Sequence, residues 1–202
     1  LDSNGFSVGS SNFTGASGED YVAWCWRASD STSSGTGAGG ASSVTFRANV
    51  EAGFSIVKYT KSGTTGTMTH GLDAAPRLII EKKTNGAQYW HVRAEGVTSN
   101  NQVLFLNENS ERATNPNNDL WTTPTDSVFG YNAANNSAGD YIAYLFHDVS
   151  GYQKIGTYQG DANSLQTIVT DFPVRFLLLK ATNATTNWEI FDSVRGGNKG
   201  LQ

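Results

Sequence analysis

Along this 202-residue chain the apolar positions come in short runs with a period of two. In YVAWCWRA (21–28), Tyr21, Ala23, Cys25 and Arg27 fall on one face, and Val22, Trp24 and Trp26 on the other. In GFSIVKYT (53–60), Phe54, Ile56 and Lys58 oppose Ser55, Val57 and Tyr59. RFLLLK (175–180) is continuously apolar instead, which predicts a strand covered on both faces. A sustained i, i+3, i+4 stripe, the mark of a helix, is missing throughout. The pattern predicts strands at 5–8, 21–27, 43–47, 54–60, 66–70, 77–83, 89–94, 103–106, 127–131, 141–147, 152–158, 165–170, 175–182 and 188–192, with Gly, Asn, Asp and Ser between them. So many short strands predict an all-β fold, a β-sandwich of the jelly-roll or concanavalin-like kind.

The strands repeat as well as alternate. PRLIIEKKTNGAQYW (76–90) and VRFLLLKATNATTNW (174–188) share an arginine, an apolar run, a lysine, Thr-Asn and a closing tryptophan, at a constant offset of 98 residues. SGEDYVAWCW (17–26) is answered by SAGDYIAYLF (137–146), and GFSIVKYT by GYQKIGTYQG (151–160). The blocks follow the same order in both halves. The chain therefore reads as an internal duplication of a four-to-five-strand unit, since so small a unit has an apolar face it cannot hide alone.

The first copy is longer because residues are inserted between its first and second blocks, among them SDSTSSGTGAGGASS (29–43). That composition predicts a flexible linker or a long mobile loop. It divides the chain into lead-in strands at 1–28, the Gly/Ser-rich stretch at 29–43 and a main sandwich body at 44–202. The lead-in reads as the end of a preceding unit. The chain opens on Leu1 in mid-pattern, which reads as a piece of a longer polypeptide or a processed product.

Composition narrows the function classes. Charged residues make up 16% of the chain and the net charge is −4. No Lys/Arg cluster marks a nucleic-acid surface. No apolar run approaches the roughly 20 residues of a membrane helix. The single cysteine, Cys25, reads as a small buried hydrophobe. His70, His91 and His147 lack metal-site spacing, and no Gly-x-Ser-x-Gly elbow is present. Glu108 and Glu111 are oddly spaced in a loop, unlike the paired carboxylates of a sandwich glycosidase. The chain thus reads as non-enzymatic, with no cofactor. Calcium is a minor alternative at GDANS (160–164) and NPNND (115–119), where turn formation is the default role of Asn and Asp.

Ligand-binding candidates lie where the repeat does not reach. Trp90 and Trp188 occupy matching positions, so they read as core. Trp121, in NPNNDLWTTPTD (115–126), has no counterpart and is expected to be an exposed contact residue, with Asn115, Asn118 and Asp119 beside it. Three glycosylation-type triplets begin at Asn12, Asn135 and Asn183.

YVAWCW, GFSIVKYT, HGLDAAPRLIIEK, GYQKIGTY and WEIFDSVRG, in that order and over nearly the whole chain, resemble a domain family of tailed phages, abundant in marine phages. The family is of unknown function and associated with virions and tail fibres. The resemblance implies a virion structural module (fibre, tail appendage or capsid decoration) on the virion surface or otherwise extracellular. Its implied partners are other virion proteins and copies of itself, as a homo-oligomer, with a host-surface glycan as a further one. A carbohydrate- or receptor-binding module is the alternative expectation, and a glycan-degrading enzyme the least favoured. The resemblance supplies no catalytic residues.

Overall fold

The computed structural model describes residues 4–11, 13–21, 23–135 and 137–194. Positions 1–3, 12 and 22 of the lead-in, Asn136 and the 195–202 end of the main body lie outside the described residues. The fold is all-β. Its strands are β1 (Ser33–Ser34), β2 (Gly37–Asn49), β3 (Phe54–Thr69), β4 (Leu78–Lys83), β5 (His91–Ala94), β6 (Gln102–Phe105), β7 (Ala113–Thr114), β8 (Val128–Tyr131), β9 (Gly139–Phe146), β10 (Phe176–Leu179) and β11 (Glu189–Asp192). A nine-stranded sheet runs β1-β2-β3-β9-β4-β5-β6-β7, with β8 also paired to β3. β10 and β11 form a second, two-stranded sheet.

β3 merges two expected strands into one long one. Its first half pairs with β9, from Phe54↔Phe146 to Lys61↔Gly139, and its second half with β8, from Gly66↔Tyr131 to Thr69↔Val128. β2 follows both halves, with register shifts at Gly39/Ala41 and Ser42/Thr45. Side chains of both halves meet in one core. Val57, Tyr59, Met68, Ile79, Val103, Phe129, Tyr131, Tyr141, Ala143 and Leu145 are all buried in it. Tyr59 stacks between Tyr131 and Tyr141, with ring centroids 6.4 and 5.9 Å away.

Much of the Gly/Ser-rich stretch is strand rather than loop. Residues 33–34 and 37–43 lie in β1 and β2, and Ala38 and Gly39 face Thr67 and Gly66 of β3. Composition alone suggested flexibility, but the ladder to β3 fixes this backbone, and glycine is what permits the close approach. A Cβ at Gly40 would stand 2.2 Å from the Thr64 carbonyl oxygen.

The duplication is visible in the register. Leu78↔Ala94, Ile79↔Arg93, Ile80↔Val92 and Glu81↔His91 of β4–β5 recur at the same offset as Phe176↔Asp192, Leu177↔Phe191, Leu178↔Ile190 and Leu179↔Glu189 of β10–β11. The flanking bonds recur too. Glu95 N donates to Arg77 O at 2.7 Å, and Ser193 N to Arg175 O at 2.9 Å. Lys82 Nζ donates to Gln88 O, as Lys180 Nζ does to Thr186 O.

The copies differ in how complete they are. In the first, β9 lies between β3 and β4, although by sequence it opens the second copy. In the second, the matching place between 152–158 and β10 belongs by sequence to 21–26. Trp24 and Trp26 do reach Phe176, edge to face at 5.7 and 5.9 Å, but residues 23–27 form no ladder. The strands expected at 5–8, 21–27, 152–158 and 165–170 do not form among the described residues, because a strand needs a paired neighbour to satisfy its backbone. The expectation that RFLLLK is covered on both faces also fails, since Phe176 and Leu177 stay 36% and 39% exposed. Cys25 is exposed rather than buried. Trp26 packs on Phe146 of the large sheet as well as Phe176 of the small one, which gives the assembly its sandwich-like character.

Candidate functional site: a polar cleft beside a buried charged cluster

The loop after β7 carries the four sequence-derived ligand candidates. Residues 115–121 are pinned to the 100–102 turn. Asn115 N donates to Asn101 O at 2.8 Å, Leu120 N to Asn100 O at 2.7 Å, and Asn101 Nδ2 to Asn115 O at 3.2 Å. Pinning leaves a cleft of about 560 Å³ between this loop and the turn after β8, and its wall includes Asn101, Asn117, Asn118, Asp119, Asn132 and Thr65. Amide and hydroxyl groups dominate that wall, a chemistry that matches the hydroxyls of a sugar.

The structure separates the four candidate residues. Asn118 and Asp119 line the cleft. Asn115 shapes the loop instead, its Oδ1 accepting from Asn117 N at 3.2 Å. Trp121 is not an exposed contact residue: it is 0% exposed and part of the core. Its Nε1 donates to Gln102 O at 3.0 Å and its backbone bridges to Tyr131, so the ring buries its area while its one polar atom is satisfied. The repeat-matched Trp90 and Trp188 are both half-buried, Trp90 stacked on Tyr144 and Trp188 donating to Phe105 O at 2.8 Å. At GDANS the Asp161 carboxylate accepts from Asn163 N and Ser164 Oγ, and these bonds hold it below its usual range. No cluster of three or more potential metal-ligating His, Cys, Asp or Glu occurs among the described residues.

A second constellation lies under the core face of the sheet. Ser55, Val57, Tyr59 and Lys61 share the inward row of β3, and Ile79 and Glu81 that of β4. Lys61 and Glu81 are therefore each only 1% exposed. Lys61 Nζ donates to Glu81 Oε1 at 2.8 Å and to the Asn135 main-chain oxygen at 3.1 Å. It also sits over the rings of Tyr131 and Tyr141, 4.3 and 4.2 Å from their centroids. Tyr59 donates its hydroxyl to the other carboxylate oxygen, and His91 Nδ1 stands 4.0 Å from Oε1.

Burial lowers the Lys61 amine from its usual range, against the opposing pull of Glu81. Burial likewise raises the Tyr59 hydroxyl far above its usual range, with Glu81 adding to the effect, so Tyr59 stays a donor. His91 is lowered by burial and partly restored by Glu81. Sequence reasoning missed this group. The available signal was phase: Lys61 continues the row of Val57 and Tyr59, and Glu81 that of Ile79, so both charges stand where alternation requires apolar residues.

No curated protein and no solved structure matches the chain. A family model described as a domain of unknown function, DUF7483, matches residues 1–202, and the chain belongs to that family.

Proposed function

We propose that the chain is a non-enzymatic structural module of a phage virion surface, as part of a fibre, tail appendage or capsid decoration, and that it assembles with copies of itself and with other virion proteins. The observation that carries this reading is the apolar surface of the second unit. Leu165 is 99% exposed, and Tyr152, Tyr158, Ile168 and Val169 are more than half exposed beside it in the chain. Exposed apolar side chains concentrated in one segment support a contact role. The segment 151–179 carries Lys154 and Arg175 against Asp161 and Asp171, so it is neutral while the whole chain is at −4. A second copy can therefore approach it without like-charge repulsion. The run of motifs shared with tailed-phage virion domains supports the same reading.

The test is mass photometry of the purified chain, followed by electron microscopy of particles bearing a tagged copy. Oligomers in solution and label on the particle surface are expected. A strict monomer whose label appears only in infected-cell cytosol would sink the proposal. The polar cleft favours a second role, attachment to a host-surface glycan. A glycan array should show binding that Asn118→Ala and Asp119→Ala abolish.

A further inference from the structure

We propose that Lys61 and Asn135 become joined by a self-formed amide cross-link, with Glu81 carrying the proton. Four observations meet at this point. Lys61 is a primary amine in the core that already touches residue 135 through its main-chain oxygen at 3.1 Å. Asn135, in the 3-10 turn Ala133–Asn135, is only 7% exposed, and its Nδ2 is buried with no hydrogen-bond partner. A native core usually satisfies such a group, so an orphan asks for a reason. Glu81 holds the amine at 2.8 Å, in reach to take its proton. The rings of Tyr131 and Tyr141 flank the nitrogen and keep out the water that would compete as nucleophile.

The chemistry balances without a co-reactant. The neutral Lys61 amine attacks the carboxamide carbon of Asn135. Glu81 takes a proton from Nζ and passes it to Nδ2. The Cγ–Nδ2 bond breaks, ammonia leaves, and an Nζ–Cγ amide remains. Burial of the amine favours the neutral, nucleophilic form that the first step requires.

The fold itself does not demand these charges. Glu81 corresponds to Leu179 in the second copy, where the same strand register holds with an apolar side chain. The carboxylate is therefore an addition peculiar to the first unit. An ion pair alone would be a weak reason to keep it, because a buried pair is often no better than well-packed apolar residues.

Intact-mass spectrometry of the full chain, denatured after folding, tests the inference. The expected result is a deficit of one ammonia molecule against the sequence mass. Protease digestion should then yield a branched peptide linking Lys61 to Asn135. Asn135→Ala, a change in a turn, should restore full mass in a folded protein. Glu81→Gln should leave most of the chain unlinked, and Lys61→Met should abolish the branched peptide. Full sequence mass in the wild type overturns the proposal, as does ammonia loss with linear peptides only, or loss of water in place of ammonia.

Discussion

Trp121 shows how a single residue changes meaning once its surroundings are known. Its place in an Asn-rich loop suggested an exposed contact residue, yet it is buried and bonded to Gln102. Trp121→Ala should therefore cost about 3–5 kcal/mol of stability, as large buried aromatics do. Urea unfolding will show this as a lower midpoint, while glycan binding by the wild-type cleft depends on Asn118 and Asp119. Gly71 makes a second prediction. Its φ is +73°, and a Cβ there would lie 2.1 Å from the Phe46 ring. Gly71→Ala should destabilise the fold by more than the roughly 1 kcal/mol of an ordinary glycine exchange. The histidines predict an acid limit. His70 is lowered from 6.5 by burial, against the Thr125 hydrogen bond and Asp126, and with His147 adding to the lowering; His91 is also lowered by burial. A base with a depressed folded pKa binds more protons when unfolded. The stability it contributes is complete above the unfolded value of 6.5 and falls as pH drops below it. Thermal melts should lose midpoint from about pH 6.5 downward, and His70→Gln should flatten that slope. The row phase of Lys61 and Glu81 was readable from sequence. Their convergence on Asn135 was not, because it depends on a turn 74 residues further along the chain from Lys61.

Among the elements, alternation found most strands of the large sheet and both of the small one, missed β1 and β7, and predicted four strands that do not form among the described residues. Period two reports that one face of a segment is apolar, not that a neighbour is there to pair with it. That distinction explains why GFSIVKYT became β3 while GYQKIGTYQG has no ladder, although the repeat relates them. It also explains why the Gly/Ser-rich stretch, poor in pattern, became β2: its partner β3 was adjacent and glycine allowed the approach. The repeat carries a testable register. Leu145 faces Ile79 across β9–β4, and the corresponding pair in the second copy is Cys25 and Leu177. Trp26 already meets Phe176 as Phe146 pairs with Leu78. In Leu177→Cys, mild oxidation should close an intrachain disulfide with Cys25, detected as a mobility shift of the monomer on a non-reducing gel. Interchain dimers would instead assign the 21–26 segment to a neighbouring copy, and unreacted thiols would remove it from β10 altogether.

At the scale of the whole molecule, the fold class and the duplication were legible, and the sheet order was not. The order places β9 between β3 and β4, with tens of residues of intervening chain on either side. Pairings so distant in sequence close large loops before they gain contacts. Refolding from urea, followed by tryptophan fluorescence, should accordingly run on the millisecond-to-second scale or slower, and a microsecond phase accounting for the full amplitude would contradict the sheet order. The position of β9 also bears on how the chain can be divided. The repeat boundary and the folding boundary do not coincide, since the strand that opens the second unit completes the first. A cut at the repeat boundary would therefore remove the strand that joins β3 to β4 and leave both with open edges.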